Sequence, residues 1–186
     1  LCARCHGGRA SRHLPGAGCY GHNGADDVAL DAALLARKSG GRPVKLQWMR
    51  DEEFAWAPCG PAMALALRAQ LDSKGNVVDW QHELWSNGHS GRPGRSNNPA
   101  LVAAWHLERP FERPASINVP LPAGAADRNA IPLYDFPNQR IVNHYVREMP
   151  VRTSALRSLG AYANVFAIES FMDELALAAR ADPVAF

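Results

Sequence analysis

The sequence predicts an α+β (mixed α/β) fold, and three observations carry that prediction. Residues 63–71 and 77–85 alternate strictly between two sets of side chains, on either side of a turn-forming break. Residues 26–38 and 163–180 instead carry dense apolar side chains of good helix propensity, the second at clear helical spacing. Between these patterns, residues 86–137 are rich in Gly and Pro. Compact domains seldom carry so long an irregular connection without a use for it.

Leu1 to Pro15 is rich in Arg, His and Gly and reads as a terminal segment outside the domain, which then spans 16–186. Cys2-Ala3-Arg4-Cys5-His6 has the spacing of a c-type haem attachment site. Such a site also needs a folded pocket and a second axial ligand, so haem at Cys2, Cys5 and His6 is not expected. With Cys19 and Cys59 the cysteines number four, which in a chain this long does not suggest a disulfide framework.

Next comes Pro15-Gly16-Ala17-Gly18-Cys19-Tyr20-Gly21-His22-Asn23-Gly24. Glycine lets a ligand approach the main chain closely. Exposed N–H groups leading into a helix suit anionic oxygens. Asp26 and Asp27 at that helix mouth would repel phosphate. The alternative is a surface loop that uses its glycines only to turn.

Asp26 to Lys38 then reads as a helix, closed by Arg37, Lys38 and Ser39-Gly40-Gly41. Val44 to Met49 alternates as a short strand, which would complete a Gly loop–helix–strand unit. Arg50 to Phe54 reads as a charged turn with i,i+3 pairs, and Trp56 to Pro61 as a loop.

Met63 to Leu71 has period 2 and reads as a strand despite its Ala and Leu. Asp72-Ser73-Lys74-Gly75-Asn76 supplies turn chemistry. Val77 to Trp85 returns as the second strand of a long antiparallel hairpin, with His82 a hydrogen-bonded strand residue. The Gly/Pro-rich stretch from Ser86 to Pro137 is expected to wrap a larger assembly or line a substrate channel, the alternative being a partly disordered insertion, with a short helix at Ala100 to Leu107. Ile141 to Val146 reads as a strand. Ala163 to Arg180 reads as a helix whose stripe is Val165, Ile168, Met172, Leu175 and Ala179. Before it, Arg152 and Arg157 lie among hydroxyl side chains. They suit a phosphate or planar polar ligand, or Arg157 pairs with Glu169 or Asp173. Asp182-Pro183 reads as an N-cap and N1, so the chain is expected to be an internal fragment of a longer protein.

A net charge of +2 gives no case for nucleic acid, and no apolar run is long enough to span a bilayer.

Three motifs in order resemble the molybdopterin-binding large subunit of the xanthine dehydrogenase/aldehyde oxidase family. The nearest likeness is to its bacterial branch of isoquinoline 1-oxidoreductase and nicotinate dehydrogenase large subunits. Gly18-Cys19-Tyr20-Gly21-His22-Asn23 is similar to the family's Gly-Gly-Phe-Gly loop. Gly41-Arg42-Pro43-Val44 with Arg50-Asp51-Glu52-Glu53 is similar to its strand entry and acidic turn. Arg152 to Gly160, running on to Glu169-Ser170-Phe171-Met172-Asp173-Glu174, is similar to its Arg-x-x-Gly cofactor loop and following helix. The likeness covers Gly16 to Phe186.

The resemblance implies a partial molybdenum-cofactor-binding domain. Gly18, Cys19, Tyr20, Gly21, Ala155, Leu156 and Arg157 would contact the cofactor, with Tyr20 and Gly21 beside the molybdenum. Leu159 and Cys59 would border the substrate. Purine-oxidising members carry an Arg where Ala57-Pro58-Cys59-Gly60-Pro61 stands here, so an aldehyde or N-heteroaromatic substrate fits better. The implied reaction is hydroxylation with water as the oxygen source. The implied cofactor is molybdenum–molybdopterin in its cytosine dinucleotide form. Electrons would pass to iron–sulfur clusters on a small subunit, or to a cytochrome or flavin subunit. The family's general-base glutamate lies in a downstream Gly-x-Gly-Glu motif that Glu52, Glu53, Glu169 and Glu174 do not match. No catalytic residue is therefore expected within this chain, and alone it should be inactive. The alternative is a non-catalytic structural or interaction remnant of that family.

Overall fold

The computed structural model describes residues 4–5, 9–10, 20, 25, 27–91 and 101–186. The chain divides into two compact units, Leu1–Ala57 with Arg92–Pro114, and Pro58–Gly91 with Ala115–Phe186.

In the first unit, β1 (Arg4–Cys5) and β2 (Arg9–Ala10) form a two-residue antiparallel pair. Helix α1 spans Val28–Lys38, as predicted, with Arg37 and Lys38 in its last turn. Asp27 precedes it and is buried. Its carboxylate accepts the Val102 N–H at 2.7 Å, which holds a later stretch of the unit beside the helix start. Gly40 and Gly41 follow with φ of +66° and +90°, the left-handed turn that ends the helix region.

The predicted strand at Val44 to Met49 does not form. Among the described residues nothing pairs with it in a ladder. Alternation can mark a face, but a strand also needs a neighbour for its backbone groups. The predicted charged turn is instead helix α2, Arg50–Trp56. The Glu52 carboxylate accepts the Met49 N–H at 2.7 Å, which supplies the cap. Asp51, Glu52 and Glu53 in the first turn complement the helix dipole, and Arg50 pairs with Glu53 at 3.1 Å in the predicted i,i+3 manner. The predicted Gly loop–helix–strand unit is therefore replaced by two helices joined by an extended link. Trp48 in that link donates to the Asp31 carboxylate at 3.1 Å. The short helix expected near Ala100 is a 3₁₀ turn at Val102–His106.

The second unit holds the sheet. Strands β3 (Met63–Leu71) and β4 (Val77–Ser86) are antiparallel, with Met63 opposite Ser86 and an irregularity at Gln70/Leu71. The Asp72 carboxylate closes the turn, accepting the N–H groups of Lys74 and Asn76 at 2.8 and 2.9 Å. Strand β5 (Gln139–Tyr145) lies parallel to β4, giving the order β3-β4-β5. A parallel pair requires a long crossover, and the Gly/Pro-rich stretch supplies it.

Helix α3 (Ala161–Ala178) packs on the sheet. Trp80 is fully buried, with its ring 4.9 Å from Phe136 and 5.5 Å from Phe171. Val77, Ile168 and Leu175 complete that core, and Leu84, Ala126 and Ala130 form a second cluster. The predicted stripe of α3 needs one correction. Val165 is exposed, while Asn164 and Ala176 are buried. Asn164 turns inward because its side-chain amide donates to the carbonyls of Ala126 and Arg128 at 2.8 and 2.9 Å. His82, buried on β4, is hydrogen-bonded as predicted: its Nδ1–H donates to the Ala130 carbonyl at 3.0 Å. Three α-helices and a three-stranded mixed sheet among the described residues agree with the predicted α+β class.

Candidate functional site

The predicted site residues that can be placed together lie in the second unit, at Cys59 before β3 and on the segment between β5 and α3. The chain leaving β5 is tied down at once. Val146 N–H donates to the Ser86 carbonyl at 2.9 Å, and the Asn87 side-chain amide donates to the carbonyls of Val146 and Glu148 at 3.0 and 2.9 Å. Further along, Thr153 forms an isolated parallel bridge with Cys59. Cys59 N–H donates to the Arg152 carbonyl at 2.8 Å, and Ser154 N–H to the Cys59 carbonyl at 3.0 Å.

Behind this bridge lies a buried polar layer. The hydroxyls of Ser116 and Thr153 both donate to the Gly88 carbonyl, at 2.6 and 3.2 Å. Gly91 N–H donates to the Ser154 hydroxyl at 3.3 Å, and the Tyr145 hydroxyl donates to the Ser116 carbonyl. The layer is close-packed. A Cβ on Gly88 would lie 2.5 Å from the Ser116 carbonyl oxygen, and one on Gly91 2.6 Å from that of Thr153. Pairing of buried polar groups stiffens such a layer, because leaving any of them unpaired is costly.

The loop 155–160 projects from it. Ala155 is buried, whereas Leu156 and Arg157 are exposed. Ser158 and Leu159 both adopt left-handed backbone, with φ of 71° and 56°. Such conformations cost roughly 1–2 kcal/mol per non-Gly residue and persist only where the surroundings impose them. The constraint is visible at Gly160. Its N–H donates to the Ala125 carbonyl at 2.9 Å, and a Cβ there would lie 2.1 Å from the Ala126 carbonyl oxygen. The loop is thus pinned at both ends and turned outward in its middle.

Gly60 seats the other candidate segment against it, since a Cβ there would lie 2.5 Å from Leu156 Cδ1. The structure therefore brings Cys59, Ala155 and Leu156 together, with Arg157 and Leu159 adjacent in the chain. Glu169, one predicted alternative partner of Arg157, accepts the Tyr134 hydroxyl at 2.7 Å, which with its charge holds the Tyr134 phenol above its usual range. An exposed arginine beside an apolar neighbour on a stiff base is of a kind that suits a planar, anionic group. In the first unit, Tyr20 is exposed with φ 48°. Gly18, Cys19 and Gly21 lie outside the described residues, as do Cys2 and His6.

The sequence reading missed Ser86, Asn87 and His89. His89 is buried, and its Nε2 lies 3.1 Å from the Ser86 hydroxyl oxygen. That hydroxyl donates to the Asn87 carbonyl at 2.8 Å, so His89 Nε2 carries the proton and donates to it. Burial pushes the His89 imidazolium pKa down to about 4, against the opposing charge of Asp127. The pair is therefore not a serine activated by a base, because the hydroxyl proton points at a carbonyl. The signal in the sequence was Ser86-Asn87-Gly88-His89-Ser90, a polar run at the end of a buried strand. Among the described residues no group of three or more His, Cys, Asp or Glu is placed to hold a metal ion. No described helix is long and apolar enough to cross a membrane.

No protein-family model matches the chain. The chain is 37% identical over 177 residues to a nicotinate dehydrogenase subunit of Pseudomonas putida, an alignment that covers 93% of this chain. The chain spans only 13% of the length of that curated relative.

Proposed function

We propose that this chain is part of the molybdopterin-binding subunit of a molybdenum hydroxylase of the xanthine dehydrogenase/aldehyde oxidase type, acting on an N-heteroaromatic or aldehyde substrate. The observation that carries the reading is the 37% identity, sustained over 93% of the chain, to a nicotinate dehydrogenase subunit. That relative's name favours the N-heteroaromatic class. The stiffly backed loop at 155–160 supports a binding role, since strain and close packing behind an exposed cation are the features of a pre-organised ligand contact.

When bound, the molybdenum cofactor would supply the oxidation itself, with water as the oxygen source. The residues of this chain bind and orient. Arg157 holds the anionic part of the cofactor, with Ala155 and Leu156 alongside. Leu159 and Cys59 border the substrate and keep water from it. In the other unit, Gly18, Cys19, Tyr20 and Gly21 form a cofactor contact of their own. The general base belongs to a further part of a longer polypeptide, and electrons leave through an iron–sulfur, cytochrome or flavin subunit.

The test uses the parent polypeptide matured with its partner subunits. It is expected to contain molybdenum and pterin and to oxidise nicotinate or a related heteroaromatic. Arg157→Ala should lower molybdenum content by roughly tenfold or more, the loss of a charge-assisted hydrogen bond, with circular dichroism unchanged. Matured protein without molybdenum or pterin would overturn the family reading. Loaded protein that oxidises neither heteroaromatics nor aldehydes would overturn the substrate.

A further inference from the structure

Asn164 is fully buried on the side of α3 that also buries Ile168, Leu175 and Ala176, where helical spacing calls for an apolar side chain. Its amide donates to the carbonyls of Ala126 and Arg128 at 2.8 and 2.9 Å. Its own Oδ1 is buried with no partner among the described residues. A buried polar group that is only partly paired is a poor source of stability. What such a group can do well is hold one arrangement of the chain around it.

The arrangement held here is the segment from Ala125 to Ala130. Ala125, Ala126 and Ala130 are buried. The carbonyls of residues 125 to 128 all accept hydrogen bonds, Ala125 from Gly160, Ala126 and Arg128 from Asn164, and Asp127 from Ala130. The Asn118 side-chain oxygen accepts the Ala126 N–H at 3.1 Å, and the Ala130 carbonyl accepts from His82 on β4. The segment is therefore a backbone wall tied to the sheet at one end and to α3 at the other. Asn164 grips Gly160 directly as well, since its backbone N–H donates to the Gly160 carbonyl at 3.0 Å. Both backbone polar groups of Gly160 are thus engaged, and a Cβ there would lie 2.1 Å from the Ala126 carbonyl oxygen.

We propose that Asn164 is a positioning residue of the candidate cofactor site, holding the wall at Ala126 and Arg128 and, against it, the Gly160 corner that sets the Arg157 loop. The proposal rests on the molybdenum-hydroxylase reading above. Ser158 and Leu159 both have left-handed backbone, which persists only where the surroundings impose it. Gly160 follows them directly and is where the surroundings act. Asn164 acts through Gly160 and itself touches neither cofactor nor substrate. A binding side chain keeps its place to within about half an ångström only with support of this kind from behind. Without the amide two buried carbonyls lose their partner, the wall shifts to find others, and Gly160 and the loop shift with it.

The experiment uses the parent polypeptide matured with its partner subunits. In the wild type, hydrogen–deuterium exchange read by mass spectrometry should find the Gly160 amide protected, and exchange as fast as in an unstructured peptide overturns the proposal. Asn164→Ala should lower molybdenum content and speed exchange at Gly160, each by roughly fivefold or more, the factor that one net hydrogen bond is worth. Asn164→Ser keeps one donor and should lie between, and it carries the test if Asn164→Ala does not fold. Ile168→Val, buried on the same helix, should lower thermal stability while molybdenum content stays within about twofold. Joined to Arg157→Ala, Asn164→Ala should add little further loss of molybdenum, because both act on one contact. Full molybdenum content in Asn164→Ala, an equal loss in Ile168→Val, or losses that multiply in the double variant would each overturn the positioning role alone. Wild-type protein without molybdenum or pterin overturns the reading on which the proposal rests, and the proposal with it.

Discussion

Helices α1 and α2 bury no residue fully, whereas α3 buries Asn164, Ile168, Leu175 and Ala176. The first two helices rest mainly on local signals, with the Asp27–Val102 and Asp31–Trp48 hydrogen bonds adding distant support to α1. The local signals are acidic residues in the first turn, basic residues in the last turn of α1, the Glu52 cap of α2 and the Arg50–Glu53 pair. The third is held by what lies across from it, namely Trp80, Phe136 and the carbonyls of Ala126 and Arg128. Short helices with no fully buried residue are marginal in water, so stability within the second unit should depend far more on single core residues.

That contrast can be broken most directly at Trp80. Trp80→Ala removes a fully buried ring stacked on Phe136 and should cost about 3–5 kcal/mol in denaturant unfolding of the second unit. A loss under ~1 kcal/mol would mean that the core is not where the cooperativity lies.

A smaller effect should follow pH. His89 is held neutral by burial, with its pKa lowered from 6.5 to about 4, and burial moves His82 in the same direction. Above pH 6.5 neither state carries the proton. As pH falls from 6.5 towards 4 the unfolded chain protonates and the folded chain does not, so stability falls across that window. His89→Gln should make the fall shallower, as read from thermal unfolding at a series of pH values. An unchanged slope would remove His89 from the account.

The smallest effect belongs to the first unit. Phe54 is 78% exposed on α2 beneath the Arg50 guanidinium, and Phe54→Ser should change stability by no more than about 0.5 kcal/mol. A loss of ~2 kcal/mol or more would show that α2 is packed rather than locally capped.

The sequence names candidate site residues, and the structure bears only on which of them lie together. A resemblance of motifs points to Cys59, Ala155, Leu156, Arg157 and Leu159, and the structure brings the Cys59 stretch against Leu156. The polar layer behind them was not legible. Ser116 and Thr153 meet at the Gly88 carbonyl from positions far apart in the chain, and no local pattern encodes that meeting. Nor does any local pattern mark His89, since burial is a property of its surroundings.

The sequence by itself determined the hairpin of β3 and β4, its Asp72 turn, and the existence of α1 and α3, because period and turn chemistry are local. Only the tertiary structure decided that Val44 to Met49 forms no strand and that Asn164 faces inward. It also decided that Ser158 and Leu159 take left-handed backbone. Each of these depends on a partner distant in the chain: a missing ladder neighbour, two carbonyls to hold, and a backbone wall at Ala126 that admits only Gly160.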